Sequence, residues 1–89
     1  MTVEDMFYEM GYEVFFHENE DFKMIRYQKE ESLDKYRIIK FLITKKEIQL
    51  YCECIGLADI YPLQLTEKEI EAVIEQYKRI KQFEKIKRG

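Results

Sequence analysis

The sequence predicts an α+β domain of order α-β-β-β-β-α: a four-stranded antiparallel meander with both terminal helices packed on one face. Three observations carry this expectation. Apolar residues recur at helical spacing near both ends of the chain. Between residues 12 and 54 the period falls to about two. Only short polar breaks separate the apolar segments there, and consecutive strands joined that way lie side by side and antiparallel.

The first helix is expected over 3–10. Thr2 stands as N-cap with Asp5 three residues on, an acid placed at the positive end of the helix. Val3, Met6, Phe7 and Met10 make one apolar stripe. Gly11 follows where a left-handed residue closes a helix. "YEVFFHE" (12–18), "FKMIRYQ" (22–28), "YRIIKFLI" (36–43) and "IQLYCEC" (48–54) are the four strands. "ENED", "KEESLDK" and "TKKE" are the polar breaks between them. Ile39, Phe41 and Ile43 share one side of the third strand, and Leu50, Cys52 and Cys54 one side of the fourth. Both sets are expected to face the helices. In "IGLADIYPLQ" (55–64), Gly56 and Pro62 exclude a continuous helix, leaving room for an edge strand at 60–63. The last helix is expected over 67–86. Thr66 and Glu69 form a capping box, with Leu65 and Ile70 as the matching staple. Its apolar stripe reads Ile70, Val73, Ile74, Tyr77, Ile80 and Phe83.

Eighty-nine residues make one domain, 1–89, ending in a basic helix end over 78–89. The apolar share is 46%, with seven Tyr and six Phe, which suffices for a packed core despite 37% charge. The net charge of −3 hides an asymmetry. Residues 1–21 hold seven acids and no Lys or Arg, whereas 77–89 hold six bases and one acid. No apolar run approaches the ~20 residues of a membrane span. The acidic start lacks the basic region of a secretory signal. Two cysteines do not make a disulfide framework, so a cytoplasmic location in a host cell, with reduced thiols, is expected.

Chemistry-bearing patterns are sparse. Cys52 and Cys54 lie two apart on a strand, so both sulfurs share a face with parallel Cβ vectors, poorly placed for a mutual disulfide. A zinc site wants about four ligands, and His17 is the sole histidine. Both cysteines are therefore expected to pack in the core. His17, beside Glu18 at a strand end, has no Ser-His-Asp partners. Glu20/Asp21 and Glu30/Glu31 fall in breaks, where solvated acids are ordinary. The glycines are isolated, which excludes phosphate-cradling loops. No enzymatic activity, metal or cofactor is expected.

Two features point to partners instead. Tyr36 and Tyr51 fall on the face away from the helices, and with Tyr27 they are candidate partner-binding residues, because tyrosine offers large rigid area plus a hydroxyl. Neighbours such as Arg37 and Lys40 would otherwise stabilise that face with them. A twofold dimer could also cover it. The second feature is the basic end: Lys78, Arg79, Lys85, Lys87 and Arg88 are candidates for an anionic partner, nucleic acid included, unless the acidic first helix neutralises them.

"MTVEDMFYEMGYE" and "LQLTEKEIEAVIEQYKRI" resemble a group of small uncharacterised phage and prophage proteins of Gram-positive bacteria. These open with a Met-Phe-x-x-Leu-Gly-Tyr-like segment and close with a Thr-x-x-Glu-capped helix. Phe7, Met10, Gly11 and Tyr12 match the opening, and Thr66, Glu69, Ile70, Val73 and Gln76 the closing. The long basic end departs from that pattern. The resemblance implies a phage-encoded protein that binds a host or phage protein, for instance as an inhibitor of a defence protein. A nucleic-acid-binding accessory role through the basic end is the alternative.

Overall fold

The computed structural model describes the backbone of residues 1–88 and the side chains of residues 1–83. The elements are α1 (Val3–Glu9), β1 (Glu13–Glu18), β2 (Phe22–Ser32), β3 (Lys35–Thr44), β4 (Ile48–Ile55), β5 (Ile60–Pro62) and α2 (Glu67–Arg88). The strands form one antiparallel sheet in the order β1-β2-β3-β4-β5. Both helices and one sheet face share a single core, so the expected two-layer α+β meander is the observed fold.

Local chemistry sets each boundary. At α1 the capping box forms with Asp in place of Glu: the Thr2 amide donates to Asp5 Oδ2 at 3.2 Å and the Asp5 amide to Thr2 Oγ1 at 3.1 Å. The helix ends in a Schellman motif, with the Gly11 amide donating to Tyr8 O and the Tyr12 amide to Phe7 O. Gly11 has φ +93°, a conformation that costs any residue with a Cβ. The β1–β2 break is held by Asn19, whose Oδ1 accepts from the Asp21 and Phe22 amides. In "TKKE", Thr44 Oγ1 accepts from the Lys46 and Glu47 amides and closes the β3–β4 hairpin without an Asn-Gly pair.

Three expectations about the elements change. The polar stretch "KEESLDK" is not a connection. β2 and β3 run on through it as a projecting hairpin turned at Leu33-Asp34, with Asp34 at φ +59°. A register irregularity between Glu30 and Ser32 adapts the projection. The sheet has a fifth strand, because Ile60–Pro62 pairs with the edge of β4. Pro62, lacking an N–H, is tolerated in this edge strand. Finally, the inward stripe of α2 is Glu69, Ala72, Val73, Gln76 and Ile80. Ile70, Ile74 and Tyr77 stay 45–46% exposed on one flank, and Phe83 is exposed too.

The core is built around Phe7, Tyr12, Tyr27, Ile39 and Phe41. Phe7 stacks on Tyr27 at 3.7 Å between ring centroids and meets Tyr12 edge-on at 5.6 Å. Tyr27 pairs with Val14 and Ile39 across its neighbouring strands. It therefore belongs to the helix-covered face, where it is 1% exposed and donates to Gln76 Oε1 at 2.5 Å. Its assignment as a partner-binding residue is corrected: the ring fills the core beneath both helices, where no partner reaches it.

Replacing Gly11 by Ala should destabilise the fold by about 1–2 kcal/mol, because the left-handed backbone must then carry a Cβ. Gly56→Ala serves as reference. A Cβ there meets no atom closer than 3.8 Å and its φ is not positive, so the change should stay within about 0.5 kcal/mol. Urea titrations giving equal losses for the two variants would contradict this assignment.

Candidate functional site

The most densely bonded side chains meet where the N-terminus of α2 crosses β3. The Thr66 amide donates to Glu69 Oε1 at 2.9 Å and the Glu69 amide to Thr66 Oγ1 at 3.3 Å, so the expected capping box is present. Glu69 is also buried, and it reaches β3 and the residue that precedes β1. Arg37 Nη2 donates to Glu69 Oε1 at 2.7 Å, and the Tyr12 hydroxyl donates to Glu69 Oε2. Arg37 further donates to Tyr12 Oη at 3.3 Å and to the Gln64 carbonyl at 3.1 Å, and pairs with Glu31 at 3.5 Å. Its place beside the helices corrects the expectation that Arg37 lies on the open face; it shares the side of Ile39 and Phe41.

This cluster is chemically saturated. Burial alone would raise the Glu69 carboxyl. The Thr66 amide, the Tyr12 hydroxyl and the Arg37 guanidinium outweigh it and hold the group below the usual carboxylate range. Burial, reinforced by the bond to Glu69, pushes Tyr12 well above the ordinary phenol value. Burial lowers Arg37, but its bonds to Tyr12 and Glu69 prevail and keep it firmly protonated. The result is a fixed charge pair rather than a proton donor or acceptor near neutrality.

The cysteines occupy the helix side of β4, as their alternation requires. Cys52 packs against the core, and Cys54 is buried with its Sγ donating to Glu31 Oε2 at 3.4 Å. Burial, with nearby acids, raises both thiols above their ordinary value, which disfavours the thiolate. No three His, Cys, Asp or Glu side chains converge with metal-ligand geometry among the described residues. His17 is exposed at the end of β1, its ring 5.6 Å from that of Phe22.

The other sheet face has no element above it. Register assigns it Phe15 of β1, Met24 and Arg26 of β2, Tyr36, Ile38, Lys40 and Leu42 of β3, and Tyr51 of β4. Tyr36 and Tyr51 thus lie where the sequence placed them, each more than a third exposed, and Phe15 joins them. Two cations lie over two of these rings, Arg26 over Phe15 at 4.9 Å and Lys40 over Tyr51 at 5.0 Å. Ile38 at the centre is buried although only side chains shield it. The Arg26 Nε is also screened from solvent and bonds to no atom among the described residues. Phe15 and Arg26 were missed from sequence. Period-two alternation marks both as outward, but which strands are neighbours, and so which cation meets which ring, follows only from the register.

The basic end divides. Arg79 pairs with Glu4 of α1 at 3.2 Å, and Lys78 with Glu75 one helical turn back at 3.5 Å. Lys85, Lys87 and Arg88 lie outside the residues whose side chains are described. Near the β1–β2 break, α2 overhangs a groove of about 700 Å³ with an apolar floor of Ile25, Ile43 and Ile80. Its lining is rich in polar and charged side chains, among them two ion pairs, Lys23–Glu18 and Arg79–Glu4.

No protein-family model matches the chain, and no curated protein or solved structure matches it either.

Glu69 ties the sheet to α2 through a carboxylate that titrates below its ordinary value. Its stabilisation is therefore present above the unfolded value of about 4.3 and lost as pH falls through and below it. Glu69→Gln should lose about 3 kcal/mol at neutral pH, because the largely buried Arg37 guanidinium loses its closest carboxylate and keeps only the longer pair with Glu31 at 3.5 Å. Between pH 5 and 3 the variant should lose less stability than the parent. Parallel acid limbs in the two unfolding profiles would show that the carboxylate does not carry this dependence.

Proposed function

We propose that the chain is a non-enzymatic protein-interaction module that binds a partner protein through the open sheet face. The supporting observation is the cross-strand row Phe15–Arg26–Lys40–Tyr51, with Tyr36 four residues away along β3, on a face that no described element covers. Aromatic residues and arginine are the types that dominate binding energy at protein interfaces. The strands hold them rigid, so little conformational entropy is lost on association. Five strands about 4.8 Å apart and three to eleven residues long give a footprint of roughly 600 Å², somewhat below the about 800 Å² that each partner contributes to a standard interface. The two cations, and the screened Arg26 Nε, suit a partner surface with carboxylates or free carbonyls set among apolar groups. The resemblance to phage and prophage proteins makes a host protein, a defence protein among them, the class to search. The pairing of Arg79 and Lys78 with acids of the same chain weighs against nucleic acid as the first choice.

The test compares the parent with Tyr36→Ala/Tyr51→Ala and with Lys40→Glu, immobilised and exposed to lysate of a Gram-positive host. The tyrosine pair should keep stability within about 1 kcal/mol, since exposed cross-strand pairs contribute no more than that. Each variant should weaken capture of the parent's specific partner by about tenfold or more. If both retain the same proteins as the parent, the open face is not the binding surface. Salt-sensitive retention of nucleic acid in place of protein would favour the basic end instead.

A further inference from the structure

The flank of α2 that faces away from α1 carries a second, self-complementary seam. At 100° per residue, Arg79, which bonds to α1, lies roughly opposite Ile70, Ile74 and Tyr77 around the helix. Those three are 45–46% exposed, spaced 4 and 3 residues apart, which is the interval of a coiled-coil seam. The next positions of the same seam are Glu67 before and Lys81 after it. The sheet order puts β4 on this side of the helix layer, and Leu50 on its helix-facing side is likewise 45% exposed.

We infer that this flank pairs with the same flank of a second copy, the two α2 helices running antiparallel about a twofold axis at Ile74. The assignment rests on the charge order of the helix. An antiparallel twofold at Ile74 brings Ile74 against its own copy and Ile70 against Tyr77 of the other. It sets Glu67 at one end of the apolar stretch against Lys81 at the other. On the solvent side of the seam Glu71 faces Lys78. Apart from the Ile74–Ile74 contact on the axis, each contact occurs twice, and the charged ones are of opposite sign. A parallel pairing would instead put Glu67 beside Glu67 and Lys81 beside Lys81 in the seam. Lys78 already pairs with Glu75 at 3.5 Å on its own helix, an exposed contact that a facing Glu71 extends into a network. The seam spans about 21 Å, and the partner helix would also cover Leu50. The open sheet face stays free in this arrangement, so the dimer would display two copies of it.

Sedimentation equilibrium from about 10 μM to 1 mM tests the inference over the range such a short seam can support. The chain should move from 11.0 kDa towards twice that mass. Ile74→Glu, which puts two like charges at the axis, should remain monomeric throughout. Glu71→Lys should weaken the dimer about fivefold, since the clash occurs twice. Adding Lys78→Glu should restore it, a rescue that a loss of folding cannot produce. A monomer across the whole range, a dimer that survives Ile74→Glu, or a charge swap without rescue would each overturn the inference.

Discussion

The structure depends on one buried carboxylate. Glu69 completes the cap of α2 through Thr66, and it receives the Tyr12 hydroxyl from just before β1 and the Arg37 guanidinium from β3. A capping glutamate is usually an exposed residue that satisfies one stray amide. Here it is the point at which helix, β3 and the entry to β1 are fixed together. The charge is tolerable because its oxygens are matched by donors on all sides, and removing one partner would strand the others in a poorly solvated place. The same cluster sets the axial position of α2. Gln76, two turns on, then falls over Tyr27, and their bond fixes the rotation of the helix.

This arrangement explains why the helix termini were legible in the sequence and the inward stripe of α2 was not. Caps are local: Thr2 with Asp5, Gly11, and Thr66 with Glu69 each act within a few residues, and each appears where the spacing put it. The stripe depends on what the helix meets. Periodicity arguments give the inner face to apolar residues, yet two of the innermost positions are Glu69 and Gln76, because Tyr12, Tyr27 and Arg37 on the sheet need polar partners. Nothing in the spacing of α2 announces hydroxyls on a neighbouring sheet. Of the apolar residues the stripe predicted, Val73 and Ile80 stay inward, while Ile70, Ile74 and Tyr77 are displaced to the flank.

The tyrosines make the same point from the sheet side. Tyr27, Tyr36 and Tyr51 look alike in a strand reading, yet alternation already separates them once register is known. Tyr27 lines up with Ile39 and Cys52 on the covered face, whereas Tyr36 and Tyr51 fall on the other. The length of β2 was hidden for a different reason. "KEES" is polar on both sides and has no burial pattern to betray a strand, because the hairpin it forms projects past the helices. Its inward ties include Glu31, which reaches Arg37 and Cys54, and Lys29, which lies over the Tyr12 ring.

A domain of 89 residues cannot bury everything it folds with, and this one leaves its apolar surplus in two places that differ in kind. On the open sheet face, long cations lie across the rings and cover them in part, so the surface stays tolerable in water and a partner need only displace or satisfy Arg26 and Lys40. On the flank of α2 the isoleucines Ile70 and Ile74 stay 45–46% exposed. Its charges are instead sorted along the helix, acids in the first half and bases in the second. That sorting also suits the helix dipole, which favours acids at the N-terminus and bases towards the C-terminus. A polarity that helps the isolated helix thus also makes it complementary to its own antiparallel copy. Of the basic run at the chain end, which by composition alone suggests an anionic partner, Arg79 offsets an acid of α1 and Lys78 one of its own helix, and in the pairing proposed above Lys78 and Lys81 would meet acids of the neighbouring α2.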